Sequence, residues 1–243
     1  MTEYLASTYG DRIADQYDAM HPAIDQAAIE LLGELASGGP VLELGIGTGR
    51  IALPLAARGL KVQGVDASEA MVARLRAKPG GEDIPVRIGD FREFDLGEKF
   101  ALIFVAFNTI FALQSQEEQV QCFRTAARHL QPGGCFLIEA FVPDLARFDR
   151  DQRVSVRSID PDTAMLELSR HDPVLQRVES QLVHVSSRGV QLYPVQLRYA
   201  WPSELDLMAR LADLTLIHRW ANWRREPFGA TSGFHLSVYR RSS

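Results

Sequence analysis

Between residues 38 and 141 short apolar runs alternate with longer segments whose apolar residues recur at helical spacing, which predicts a parallel α/β layer. Strands are expected at 41–44, 61–65, 85–89, 101–106 and 135–140, with helices at 50–58, 68–77 and 116–130 among them. The run 101–106, Ala-Leu-Ile-Phe-Val-Ala, is apolar at every position, as suits a parallel strand covered on both faces. Pro54 falls inside helix 50–58, near enough to its start to cost about one backbone hydrogen bond. In a doubly wound sheet of this kind ligands sit at the carboxyl ends of the strands.

On either side the pattern changes. Tyr9, Ile13, Tyr17 and Met20 with His21 share one face of a helix over 7–21. Pro22 opens a second helix to about residue 36, with Ile24, Ala28, Leu31, Leu32 and Leu35 as its buried stripe, and Ser37-Gly38-Gly39-Pro40 stops it. Beyond Phe141, segments 153–158, 163–171, 176–186 and 190–201 are rich in Val, Leu and Thr. They are separated by Asp160-Pro161, Asp172-Pro173 and Ser187-Arg188-Gly189, the signature of antiparallel strands joined by turns. A helix over 202–211 and strands over 214–220 and 233–240 follow. The 243 residues therefore read as one domain. It comprises a helical cover (1–37), a ligand-binding core (38–144), a β-rich insertion over the mouth of the site (145–200) and a return to the sheet (201–243).

The chemistry concentrates in Val41-Leu42-Glu43-Leu44-Gly45-Ile46-Gly47-Thr48-Gly49-Arg50, where a strand runs into three alternate glycines and then a helix. Without Cβ atoms the backbone can come within contact distance of a ligand. The helix end behind it offers free N–H groups and a positive dipole. Several kinds of nucleotide site use such turns, so the later strands decide. Asp66 ends the second strand, where a carboxylate can accept both ribose hydroxyls of an adenosine. Asp90 and Phe91 end the third, an acid and an aromatic suited to the exocyclic amine and the face of adenine. The spacing is not the dinucleotide Gly-x-Gly-x-x-Gly, because Arg50 stands in the register of its last glycine. Glu43, just before the turn, would repel a pyrophosphate.

With these residues the chain resembles the class I S-adenosylmethionine-dependent methyltransferases. The matching pieces begin with Glu43-Leu44-Gly45-Ile46-Gly47-Thr48-Gly49 and Val65-Asp66-Ala67-Ser68-Glu69-Ala70-Met71. Gly89-Asp90-Phe91, Phe107-Asn108-Thr109 and Leu130-Gln131-Pro132-Gly133-Gly134 follow in the family's order and spacing. The texture is similar to small-molecule N-methyltransferases of bacterial antibiotic and deoxyaminosugar biosynthesis, including those of lincosamide assembly. The resemblance implies a Rossmann-like, mostly parallel doubly wound sheet with an antiparallel insertion as lid. It implies S-adenosylmethionine as cofactor and S-adenosylhomocysteine as product. Cofactor contacts are then expected from Glu43, Gly45, Gly47, Gly49, Asp66, Ala67, Met71, Asp90, Phe91 and Asn108.

In related methyltransferases the N-terminal segment folds over the cofactor, which makes Tyr9 and Tyr17 the main candidates beside the substrate. Their phenols could bond a substrate amine or the cofactor carboxylate, and their rings could hold a sulfonium by cation–π contact. Packing of the same stripe on the core stays open. His21 is a candidate base or a plain helix-junction histidine. Asn108 and Thr109 follow the fourth strand, beside where a methyl acceptor must sit.

Methyl transfer from a sulfonium is an in-line displacement with a neutral leaving group. Orientation then carries up to about 7–11 kcal/mol of the effect. An amine acceptor need only be neutral, whereas a hydroxyl usually needs a base. No metal is expected. Glu139 ends the fifth strand, but the fourth offers Asn108 where Mg²⁺ would want a second carboxylate. The six histidines show no pair at ligand spacing. His171 and His184, in the insertion, either reach the substrate pocket or lie on the lid surface.

Composition narrows the partners. A formal charge of −5, with acids and bases intermixed, argues against a nucleic-acid face. Asn108-Thr109-Ile110-Phe111 also lacks the Asn/Asp-Pro-Pro-Tyr of DNA and protein-amide methyltransferases. Cys122 and Cys135 read as buried apolar residues of a reduced, cytoplasmic protein. Neither a signal peptide nor a membrane span of about 20 apolar residues is expected. The expected function is methyl transfer to N, in preference to O, of a small secondary-metabolite acceptor in a largely apolar pocket. A peptide N-terminal methyltransferase, a nucleotide-dependent oxidoreductase and a non-catalytic cofactor-binding subunit are the alternatives, and a homo-oligomer stays open.

Overall fold

The computed structural model describes residues 4–21 and 23–241. The N-terminal cover is α1 (Thr8–Ile13), α2 (Tyr17–Met20) and α3 (Gln26–Ala36). The core follows as β1 (Val41–Leu44), α4 (Ala52–Ala57), β2 (Val62–Asp66), α5 (Glu69–Arg76), β3 (Val86–Ile88), β4 (Phe100–Val105), α6 (Gln116–His129) and β5 (Leu130–Phe141). Four strands come next, β6 (Gln152–Ile159), β7 (Thr163–Asp172), β8 (Arg177–Ser186) and β9 (Gly189–Arg198). The last described elements are α7 (Pro202–Arg210), β10 (Leu214–Trp220) and β11 (Phe234–Arg241).

Seven strands form one sheet in the order β3-β2-β1-β4-β5-β11-β10. β1 to β5 pair in parallel, and β11 enters antiparallel to both β5 and β10. The doubly wound, mostly parallel sheet expected from the alternation is therefore present. Helices on both faces explain why β4 can be apolar throughout: Leu102, Ile103, Phe104 and Val105 have no exposed surface. On one face Phe123 of α6 meets Phe136 and Tyr239 edge-on, at 5.3 and 5.6 Å. On the other, Leu32 of α3 and Ile51 and Leu55 at α4 pack over Leu137 and Val238. Each such side chain contributes about 1.5–3 kcal/mol on burial. Pro54 lies near the start of α4, between Leu53 N bonded to the Gly49 carbonyl at 3.0 Å and Leu55 N bonded to the Ile51 carbonyl at 3.2 Å, so it costs the one backbone bond expected. No helix among the described residues is long and apolar enough to cross a membrane.

The segment 145–200 holds a separate four-stranded antiparallel sheet in the order β6-β7-β8-β9. Its foot is tied to the core through Arg198, which is buried and donates to Glu204 at 2.6 Å, Gln119 at 2.7 Å and Gln176 at 2.9 Å. Ser169, His171, Val178 and Tyr193 are buried on its inner side.

Several boundaries differ from the expectation. The helix over 7–21 is two short helices, because the turn after Ile13 closes early with Gln16 N donating to the Ile13 carbonyl at 2.8 Å. Tertiary contacts set that break. Ile13 is fully buried, and a Cβ on Gly10 would stand 2.6 Å from Ser68 Cβ, so α1 is pressed onto the start of α5. Pro22, expected to open the next helix, lies outside the described residues, as do 1–3 of the cover. α3 itself starts at Gln26, where Asp25 accepts from Ala27 N at 3.0 Å as the cap. β5 begins five residues before the expected strand. Phe100 pairs with Leu130 and Leu102 with Cys135, so the Pro132-Gly133-Gly134 turn bulges out between them.

Candidate functional site

The carboxyl ends of β1, β2 and β4 open into one cavity roofed by α1 and α2. Its floor is the turn after β1. Gly45 and Gly47 have φ of 75° and 54°, where a side chain is strained, and a Cβ on Gly45 would stand 2.6 Å from Thr109 Cγ2. Gly47 N donates to Asp66 Oδ2 at 2.7 Å and Ser68 N to Asp66 Oδ1 at 2.8 Å. The turn thus orients the Asp66 carboxylate, and each oxygen keeps a second lone pair for a ligand. Burial raises the Asp66 carboxyl above its ordinary value, against those two N–H donors.

Glu43 lies buried under the turn, bonded by the Ala52 N–H at the start of α4. Its Oε2 is buried without a hydrogen-bond partner. Burial, and then the nearby Asp66, hold its carboxyl well above the ordinary range. Arg50 lines the same cavity, and its charge acts to lower the Glu43 carboxyl. The guanidinium lies 4.5 Å from the Phe107 ring centroid and 5.7 Å from that of Tyr17, and it bonds the Tyr17 phenol. In the sequence Arg50 served only to exclude a dinucleotide register. A cation just ahead of a helix N-terminus opposes the dipole, and that was the signal of a role.

Ala67, Met71, Asp90 and Phe91 line the wall beside Asp66. Tyr9 and Tyr17 both line the cavity, from two different helices and not from one helical face. Burial raises both phenols above their ordinary value, so they stay protonated near neutrality.

Three expected residues are not brought to the cavity. Gly49 is held by packing: its φ is 77°, and a Cβ would stand 2.3 Å from Leu75 Cδ1. Asn108, at φ 64°, turns its carboxamide to β5, where Oδ1 accepts from Phe141 N at 2.6 Å. His21 lies behind Tyr17, its ring stacked 4.2 Å away and its Nδ1 donating to the Tyr17 carbonyl at 2.8 Å. Burial lowers the His21 pKa, and its place is that of a brace for Tyr17.

Glu139 accepts from Phe107 N and from Trp223 Nε1, both at 2.8 Å, and so fixes the loop after β4. Among the described residues no three His, Cys, Asp or Glu side chains group as a metal site. His171 is buried against Phe148 and lies 3.0 Å from the Tyr199 hydroxyl, at the base of the insertion. His184 sits partly exposed, 3.4 Å from Gln191.

The cover is latched by three acids whose partners sequence spacing does not reveal. Ser68 Oγ donates to Asp11 at 2.6 Å, Arg74 pairs with Asp15, and Thr48 Oγ1 donates to Asp18 at 2.6 Å. Lys78 joins the last pair, 2.7 Å from Asp18 Oδ2 and donating to the Thr48 carbonyl at 2.7 Å.

Residues 41–134 match the methyltransferase domain family. The CcbJ methyltransferase of Streptomyces caelestis is 41% identical, with 99% of this chain and 100% of that chain covered and a TM-score of 0.93. A cypemycin N-terminal methyltransferase of a Streptomyces species is 29% identical over 97% of this chain and 98% of its own. A dTDP-4-amino-2,3,4,6-tetradeoxy-D-glucose N,N-dimethyltransferase of Saccharopolyspora spinosa is 34% identical over 55% of this chain and 56% of its own. The chain belongs to the class I S-adenosylmethionine-dependent methyltransferases. It is an enzyme, and S-adenosylmethionine is its cofactor.

The cavity fits that molecule. Asp66 offers acceptors to vicinal hydroxyls, and Phe91 offers an aromatic wall. The orphaned Glu43 Oε2 offers an acceptor to an ammonium, and Arg50 a cation to a carboxylate. A nucleoside joined to a zwitterionic amino acid supplies all of these groups.

Proposed function

We propose that this enzyme methylates the nitrogen of a small amine held between the cavity and the inner side of the β6–β9 sheet. The observation that carries the choice of nitrogen is the lack of a free base among the described cavity residues. Both phenols are raised by burial, and His21 is turned away. Both oxygens of Glu139 are engaged, Arg92 holds both oxygens of Asp90, and Glu43 and Asp66 belong to the floor. A hydroxyl acceptor would need its proton removed, whereas a neutral amine already carries its lone pair. Two relatives carry names consistent with this reading, a cypemycin N-terminal methyltransferase and an amino-sugar N,N-dimethyltransferase.

When bound, S-adenosylmethionine supplies a methyl carbon activated by its sulfonium. The chain's own residues bind and orient. Asp66, Glu43 and Arg50 would hold the two ends of the cofactor, while Gly45 and Gly47 let the backbone approach it. The Tyr9 and Tyr17 phenols would direct the amine, and the latched cover would exclude water. Alignment of this kind is worth up to about 7–11 kcal/mol.

An amino sugar is the first acceptor class, and a peptide N-terminus is the second reading, favoured by a relative that spans 97% of the chain. The test is incubation with labelled cofactor and a panel of free and nucleotide-linked amino sugars, lincosamide-like amino amides, phenols and short peptides. Label on amines alone is expected. Label on phenols with none on any amine would overturn the reading, and acetylated peptides separate N-terminal from side-chain transfer. Swapping 145–200 should change the acceptor while S-adenosylhomocysteine affinity stays within about tenfold.

A further inference from the structure

The loop after β4 holds a backbone conformation that bulky L side chains rarely adopt. Phe107 and Asn108 have φ of 53° and 64°. Such backbone persists only where its surroundings over-determine it, and it gathers at ligand sites. Four bonds fix it here. Phe107 N donates to Glu139 Oε2 at 2.8 Å, and Asn108 N donates to the Glu139 carbonyl at 3.2 Å. Thr109 N donates to the Ala106 carbonyl at 3.0 Å, and Asn108 Oδ1 accepts from Phe141 N at 2.6 Å. Phe107 is thereby set in the cavity wall, with the Arg50 guanidinium over its ring at 4.5 Å.

The other Glu139 oxygen is taken by a residue outside the matched domain of 41–134. Trp223, in the loop between β10 and β11, donates its Nε1–H to Glu139 Oε1 at 2.8 Å. Its ring packs, as that of Phe107 does, against the core face that holds Leu137 and Val238. The next two residues fasten the loop to α3 and its cap: Arg224 pairs with Asp25 at 3.3 Å, and Arg225 pairs with Glu34. One donor on each oxygen leaves the Glu139 carboxylate a single orientation, since turning it would break a charge-assisted bond. We propose that Trp223 is a positioning residue for the cofactor: through Glu139 it sets Phe107, and through the Phe107 ring it sets Arg50 against the cofactor carboxylate. A guanidinium lying on an aromatic face is held there by stacking and cation–π attraction, so a displaced ring displaces the cation. This role rests on Arg50 being the partner of the cofactor carboxylate, as proposed above.

Calorimetry on the full chain with two probes tests this: S-adenosylhomocysteine, and 5′-methylthioadenosine, which lacks the amino-acid end. Trp223→Phe keeps an aromatic ring and removes the N–H. It should weaken S-adenosylhomocysteine at least about fivefold while 5′-methylthioadenosine stays within about twofold and Tm barely moves. Glu139→Gln, whose one oxygen can serve only one of the two donors, should give the same selective loss, and it carries the test if Trp223→Phe fails to fold. In a Phe107→Leu background, which has no ring to set, adding Trp223→Phe should weaken S-adenosylhomocysteine no further. Equal losses for both probes, or none for either, would overturn the positioning role, because a loop that merely stabilises the fold cannot tell the probes apart. Arg50→Lys separates this from the reading beneath it. If Arg50→Lys weakens S-adenosylhomocysteine selectively and Trp223→Phe does not, only the positioning role falls. If Arg50→Lys weakens both probes equally, the assignment of Arg50 to the carboxylate falls, and the role of Trp223 with it.

Discussion

Thr48 donates its hydroxyl to Asp18 at 2.6 Å, joining the glycine turn that floors the cavity to the short helix that roofs it. The two residues are thirty positions apart, and Lys78 closes the triangle. Burial raises the Asp18 carboxyl, but the bonds from Lys78 and Thr48 outweigh this and bring it below its ordinary value. The cover is therefore fastened to the very turn it closes over.

That fastening predicts a binding effect with little loss of stability. Asp18 is half-exposed, so the pair is worth about 0.5–1 kcal/mol. Asp18→Ala should weaken S-adenosylhomocysteine binding by about two- to fivefold, mainly through faster release, and barely move Tm. Stopped-flow release rates check it. An unchanged release rate would leave Asp18 a surface ion pair.

Asp66 predicts a larger loss. Its carboxylate is already set by Gly47 N and Ser68 N, so it should meet a ribose at little cost in reorganisation. Asp66→Ala should cost about 1.5–3 kcal/mol of S-adenosylhomocysteine affinity, the range for hydrogen bonds to a charged group. Titration calorimetry reads this directly, and full affinity in the variant would move the ribose elsewhere.

His235 supplies a pH dependence. It is fully buried on β11, with Nδ1 2.9 Å from Ser237 Oγ and Nε2 unpartnered. Burial, then Arg219, lowers its pKa from 6.5 to about 4. The unfolded chain therefore binds this proton first as pH falls. Stability should be full above about pH 6.5 and decline toward pH 4, by up to roughly 3 kcal/mol. Glu43, Asp66 and Glu139, all raised by burial, pull the opposite way over acidic pH. The measurement is thus the difference between the parent and His235→Leu denaturation curves across pH 4 to 7. A difference that does not change with pH would show that His235 titrates alike in both states.

What the sequence made legible follows from periodicity and local chemistry. The alternation over 38–141 exposed the parallel sheet because strands such as β4 must be apolar on both faces, and Gly45, Gly47 and Asp66 announced themselves by spacing. The outcome was less legible where a side chain's direction depends on tertiary contact. Asn108 stands at the expected edge, but the left-handed backbone at Phe107 and Asn108 swings its amide onto Phe141. Gly49 completes the motif in letters while serving Leu75 in space. The latch through Asp11, Asp15 and Asp18 pairs residues thirty to fifty-nine positions apart, and no period records such pairs.

Tyr17 offers the sharpest test of the proposed chemistry. Its ring is stacked on His21 and its phenol is bonded to Arg50, so ring and hydroxyl have separable duties. If the hydroxyl orients the acceptor amine, its bond matters most in the transition state. Tyr17→Phe should then lower kcat by about tenfold or more, about 1.4 kcal/mol, with cofactor KM and Tm nearly unchanged. If the hydroxyl instead only steadies Arg50 against the cofactor carboxylate, the same variant should raise cofactor KM and leave kcat alone. Tyr17→Ala removes the stacked ring as well and should loosen the cover in either case. Steady-state kinetics at varied cofactor, with Tm for both variants, separate the duties. Tyr17→Phe with parent kcat and parent KM would reduce Tyr17 to packing beneath the cover.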